Sequence, residues 1–128
     1  NITVQGLKIR NNGKKAKKTT AKNVDELQIC FTATENDVVD MGVERFFVRI
    51  VNPLGETLAI EDLGSGVLVD NQSQEQIRFT KMEEMDYDKT ANNMCSVWSP
   101  SQPFQAGQYT IEVYNKGYLA GTSNFTLK

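Results

Sequence analysis

Histidine is absent from this 128-residue chain, and that absence removes more chemistry than any other feature of the composition. No imidazole base can serve a Ser-His-Asp or Cys-His arrangement, and none can ligate a metal. Cysteine occurs only as Cys30 and Cys95, which excludes a four-cysteine zinc site. Glycine and proline number nine and three, too few for a linker or a low-complexity chain. No stretch approaches the roughly 18 apolar residues that a membrane helix needs. What is present is 39% hydrophobic and 23% charged, a composition that can bury a core. The length suits one domain over residues 1–128. The chain opens at Asn1 without an initiator Met and is read as the C-terminal part of something longer.

Acids are missing locally as well. Residues 1–22 carry Lys8, Arg10, Lys14, Lys15, Lys17, Lys18 and Lys22 with no acid, so all 16 acids fall in residues 23–128. The run Lys14, Lys15, Lys17, Lys18 carries enough charge to attract nucleic acid or anionic lipid. No aromatics interleave with it, so base stacking is unsupported. It is read as a solvated basic loop between two strands, at the positive end of a more acidic body. No nucleic-acid partner is expected.

The dominant pattern has a period of two. Val48 and Ile50 alternate with Arg49 and Val51; Ile77 and Phe79 alternate with Arg78 and Thr80; Tyr109, Ile111 and Val113 alternate with Thr110, Glu112 and Tyr114. Such alternation, rich in β-branched and aromatic residues, predicts strands with one buried face. The spans are 2–10, 24–34, 43–52, 57–62, 67–69, 75–87, 94–99, 108–114 and 118–127. Asn52-Pro53-Leu54-Gly55 reads as a turn that makes a hairpin of 43–52 and 57–62. Asn115-Lys116-Gly117 reads as the tip of a closing hairpin. A short helical turn is expected at Glu35–Met41. The fold class is all-β, an antiparallel sandwich of about seven to nine strands.

Phe104-Gln105-Ala106-Gly107-Gln108-Tyr109 is the most informative segment. A Gly two residues before a Tyr that opens an alternating strand resembles the tyrosine corner of immunoglobulin-like sandwiches. Gly107 permits the bend, and Tyr109 supplies an apolar ring with one polar tip.

More narrowly, residues 24–128 resemble the C-terminal domain of Bacteroidetes envelope-anchored proteins. The residues that carry the resemblance are Asp25-Glu26-Leu27-Gln28-Ile29-Cys30-Phe31, Asp62-Leu63-Gly64-Ser65-Gly66, Asn92-Asn93-Met94-Cys95-Ser96-Val97-Trp98 and the closing hairpin. The resemblance implies a β domain facing the periplasm behind an upstream membrane anchor and coiled coil. It implies no activity and no catalytic residues.

Leu27, Ile29 and Phe31 share a face, which puts Cys30 on the other. Cys30 and Cys95 are either two buried thiols or an atypical cross-strand bridge, since the strand at 108–114 carries no cysteine. A bridge would imply an oxidising compartment.

Other groups invite a chemical reading. Glu35, Asn36, Asp37 and Asp40 offer hard oxygens for calcium, but their spacing departs from a calcium loop and a capped turn serves as well. Glu83, Glu84, Asp86 and Asp88 read as a solvated strand edge that blocks pairing. Gly64-Ser65-Gly66 lacks a phosphate-loop frame. Among the aromatics Tyr87, Trp98, Tyr109, Tyr114 and Tyr118, three could stack on sugar: Tyr114, Tyr118 and Trp98. Trp98 reads first as a core or rim residue. The expectation is therefore a non-enzymatic binding or assembly module of the cell envelope, acting through protein contact or self-association. It needs no metal or cofactor. The alternative is a carbohydrate-binding module using exposed Tyr and Trp.

Overall fold

Period-two alternation builds ten strands among the described residues, and every pairing is antiparallel. The computed structural model describes residues 1–33, 42–87 and 92–128. The strands are β1 (Ile2–Ile9), β2 (Lys15–Lys18), β3 (Glu26–Ala33), β4 (Gly42–Val51), β5 (Gly66–Asp70), β6 (Glu75–Phe79), β7 (Lys81–Tyr87), β8 (Asn92–Trp98), β9 (Gly107–Asn115) and β10 (Tyr118–Leu127). One sheet has the order β2-β1-β3-β8, the second β10-β9-β4-β7, and β5 and β6 form a separate pair. The two four-stranded sheets make an immunoglobulin-like sandwich. The helical turn expected at Glu35–Met41 and the calcium set Glu35, Asn36, Asp37 and Asp40 lie outside the described residues, as does Asp88.

The core lies between the sheets. Leu27, Ile29 and Phe31 of β3 meet Phe46, Val48 and Ile50 of β4 and Tyr109, Ile111 and Val113 of β9 in one buried cluster with Trp98, Phe104 and Leu127. Burying each such side chain contributes about 1.5–3 kcal/mol.

β3 and β8 are paired so that Cys30 faces Cys95 directly, and the two form a disulfide with a Cα separation of 4.0 Å. The bridge sits on the outer face of one sheet, where Cys30 is half-buried and Cys95 exposed. Of the two readings open from the sequence, the cross-strand bridge is the one observed.

Three segments differ from the reading of the sequence. The lysines expected in a loop form an edge strand instead: β2 spans Lys15–Lys18 and pairs with β1, and only Lys14 remains in the turn. Lys15 caps the buried Glu26 carboxylate at 2.8 Å, which places the strand. The expected strand at 57–62 is reduced to a bridge between Val51 and Thr57, followed by an extended stretch and a 3-10 turn at Glu61–Leu63. The expected strand at 75–87 breaks at Thr80. This fully buried residue donates its backbone N–H to Val48 O (2.8 Å) and its hydroxyl to Leu58 O (2.6 Å), while accepting from Ile50 N–H (2.9 Å). Those bonds pin the chain where it leaves the β5–β6 pair and joins β4.

The β5–β6 hairpin forms a partial third layer. Phe79 packs edge-on against Phe47 at 4.9 Å between centroids, Arg49 donates to Arg78 O, and Asn71 at the tip is bonded to Lys116 O and Gly117 O. The hairpin is thus laid over the side of β4 and β9 that faces away from the core.

At the other margin, edge strand β7 turns charge inward. Glu83 accepts a 2.6 Å bond from the Ser96 hydroxyl and an ion pair from Lys81 at 3.4 Å, and Lys81 also donates to Val97 O. Glu83 therefore ties β7 to β8 and is not part of a solvated edge. Glu84 and Asp86 do stay exposed, as expected. Inward charge on an edge strand also discourages unwanted pairing there.

Candidate functional site

The cleft begins with a turn. Asn52 Oδ1 accepts from Leu54 and Glu56 N–H, and Gly55 takes a φ of +83°, so the Asn52–Gly55 turn forms as read. The chain then returns beside β4 as an extended stretch. Leu58 donates to Ile50 O and accepts from Thr80, while Ile60 donates to the Ser65 hydroxyl. This stretch is one wall of the cleft.

The other wall comes from the tyrosine corner. Tyr109 is 1% exposed, and its hydroxyl donates a 2.6 Å bond to Gln105 O, four residues upstream. Burial raises the Tyr109 pKa above the usual tyrosine value. Gly107 is required twice. Its φ is +136°, and a Cβ there would stand 2.7 Å from Pro53. The bend swings the Pro100–Gln105 loop over the end of the sandwich. Phe104 is buried against Tyr109, with ring centroids 6.5 Å apart.

Between the walls is an open-sided cleft of about 550 Å³. Leu58, Ile60 and Pro103 supply apolar surface above the buried Trp98 and Phe104, and Asn52, Glu56, Arg78 and Gln102 belong to a polar rim that makes up the larger share of the lining. The rim holds one acid and one base, so it has no strong charge of either sign. Among the described residues, no group of three or more Cys, Asp or Glu could hold a metal ion.

The residues singled out from the sequence divide between sites. Trp98 and Tyr109 meet at the cleft. Trp98 is only 2% exposed, so it is a wall residue and not a flat platform. Tyr114 was expected to be exposed and is buried, because the β5–β6 hairpin covers its side of β9. Its pKa is raised by burial and by the nearby carboxylates of Glu112 and Asp70. Tyr118 is 58% exposed at the opposite end of the sandwich. Tyr109 and Tyr114, five residues apart on β9, are separated by about 17 Å. The three rings proposed for sugar stacking therefore form no common surface. Lys14, Lys15, Lys17 and Lys18 do not line the cleft.

Leu58, Ile60, Arg78 and Gln102 were not singled out from the sequence. Their convergence depends on the failed strand at 57–62 and the break at Thr80, neither of which period-two alternation reveals.

No curated protein matches the chain. Among solved structures it is similar to Pseudomonas fluorescens alkylpurine DNA glycosylase AlkC bound to DNA containing an abasic site analog, at 10% identity and a TM-score of 0.43. That match covers 99% of this chain and 30% of the glycosylase chain, and so loose a likeness bears on neither fold nor function. A family model does match over residues 1–128, and the chain belongs to that family, described as a domain of unknown function (DUF8428).

Proposed function

We propose that this chain is a non-enzymatic binding module that acts through protein–protein contact at the cleft, as part of an assembly in the bacterial cell envelope. The single observation that carries the reading is the 550 Å³ cleft, where Leu58, Ile60 and Pro103 lie within a larger polar lining that holds one acid and one base. A rim of this kind offers contact without a strong field. The envelope placement has two supports. The Cys30–Cys95 disulfide fits an oxidising compartment such as the periplasm. The resemblance to Bacteroidetes envelope-anchored domains points the same way. The carbohydrate alternative loses its main support, because Trp98 and Tyr114 offer no exposed ring face.

The test is photo-crosslinking in the native envelope. A benzoylphenylalanine at exposed Gln102 on the cleft rim should trap a discrete protein. The same probe at exposed Tyr118, at the far end, should not. Equal yields at both positions, or none at Gln102, would overturn the reading. A glycan array bound by the native chain would favour the carbohydrate alternative.

A further inference from the structure

The backbone of the cleft wall has an alternating pattern. Glu56, Leu58 and Ile60 have bonded backbone groups: Glu56 O accepts from Asn52, Leu58 bonds Ile50 and Thr80, and Ile60 bonds Ser65 and Leu63. Thr57 and Ala59 lie between them. Thr57 faces Val51 as a bridge partner flanked by the bonds Asn52 N–H to Glu56 O and Leu58 N–H to Ile50 O. In that geometry the N–H and C=O of Thr57 are turned away from β4. The alternation of an extended chain gives Ala59, two residues on, the same orientation. Among the described residues, none of these four backbone groups has a hydrogen-bond partner, although both residues are half-buried.

Two donors and two acceptors, in phase and half-buried, form an unoccupied strand edge. Half-buried polar groups favour a ligand that satisfies them. Among peptide-like ligands, an extended backbone presents donors and acceptors at the matching repeat. Resting on the reading of the cleft as the contact surface, we propose that its ligand is an extended peptide segment. The segment adds as an antiparallel strand to Thr57–Ala59. One ligand residue faces Thr57 and another, two positions away, faces Ala59, each exchanging both of its backbone hydrogen bonds. Alternate apolar side chains of the ligand then pack beside Leu58, Ile60 and Pro103, on the apolar part of the wall. The neutral rim sets no requirement for a charged ligand. The nearby sheet margin at β7 carries inward charge, which discourages pairing there.

The experiment selects decapeptides from a random display library on the whole chain and maps each binder by amide chemical shifts. The expected binders shift amides at 57–60 and 98–105 and carry apolar residues at every second position. N-methylation of the two ligand residues that face Thr57 and Ala59 should weaken binding at least tenfold. Methylation of the residue between them should leave it unchanged. Ala59→Pro removes one protein donor and should weaken the same peptides at least tenfold. The methylated peptides test the unaltered protein, so the outcome does not depend on how that variant folds. Binding in the cleft with equal tolerance of methylation at all positions would overturn strand addition while leaving the cleft as the contact surface. Binders that map elsewhere, or a library that yields none, would overturn both.

Discussion

The hydroxyl of Thr80 donates a 2.6 Å hydrogen bond to the carbonyl of Leu58, joining the point where the chain changes sheets to the wall of the cleft. The same oxygen accepts from the Ile50 N–H at 2.9 Å. One buried side chain thus serves the fold and the candidate site together.

Thr80→Val keeps the shape and removes both bonds. A buried donor, Ile50 N–H, and a half-buried acceptor, Leu58 O, are left without partners, at a cost of about 3 kcal/mol. Thermal unfolding followed by circular dichroism should show a midpoint about 10 °C lower. The amides of residues 56–60 should also broaden or shift more than those of β3. An unchanged midpoint would show that the Thr80 bonds do not hold the cleft wall.

Gly107→Ala tests the bend beneath the tyrosine corner. The φ of +136° disfavours any side chain, and the new methyl would press on Pro53 at 2.7 Å. The expected loss is about 3 kcal/mol in urea unfolding, with an unchanged slope. Gly13 has a positive φ in open space, so Gly13→Ala should cost less.

The disulfide closes a loop across a sequence separation of 65 residues. Chain entropy assigns such a closure about 4 kcal/mol. The double variant Cys30→Ala, Cys95→Ala should therefore unfold at a lower urea concentration, with a loss of about 3–4 kcal/mol. The native protein under dithiothreitol should match it. The cluster of Leu27, Ile29 and Phe31 lies on the other face of β3, so the reduced protein should still fold.

Alkaline pH should weaken the fold through two buried phenols. Tyr109 and Tyr114 both have pKa values raised above their unfolded value of 10, by burial first. A raised value means that the unfolded chain loses these protons more readily than the folded one. The stability they contribute is whole below pH 10 and is lost as the pH rises past it. For Tyr109, ionisation also removes the proton bonded to Gln105 O. Urea midpoints measured from pH 8 to 11 should decline above pH 10, and Tyr109→Phe should make the decline shallower. That variant should also lose about 1 kcal/mol at neutral pH.

Much of the sandwich was legible in the residues. The alternation over Val48 and Ile50, and over Tyr109, Ile111 and Val113, identified inward faces because side chains on a strand alternate strictly between two sides. Leu27, Ile29 and Phe31 likewise set Cys30 on the outer face, where it is found. Gly107 and Tyr109 announced their corner because few other residue pairs can make that bend and cover it.

Other features needed the fold. Lys15–Lys18 carries no apolar alternation, and it is a strand because β1 offers an edge and Glu26 offers a buried charge. Tyr114 looked exposed beside a turn and is covered by a hairpin that arrives from residues 66–79.

From the sequence alone came the all-β class, the buried faces, the corner and the exclusion of imidazole chemistry. Each follows from local residue types, whose period and conformational limits act within a few positions. Tertiary structure alone decided the disulfide register, the sheet change at Thr80 and the free edge at Thr57 and Ala59. These depend on which distant segment fills each backbone hydrogen-bonding position. At 57–60 Leu58 found β4 and Thr80, and among the described residues no segment fills the side beyond.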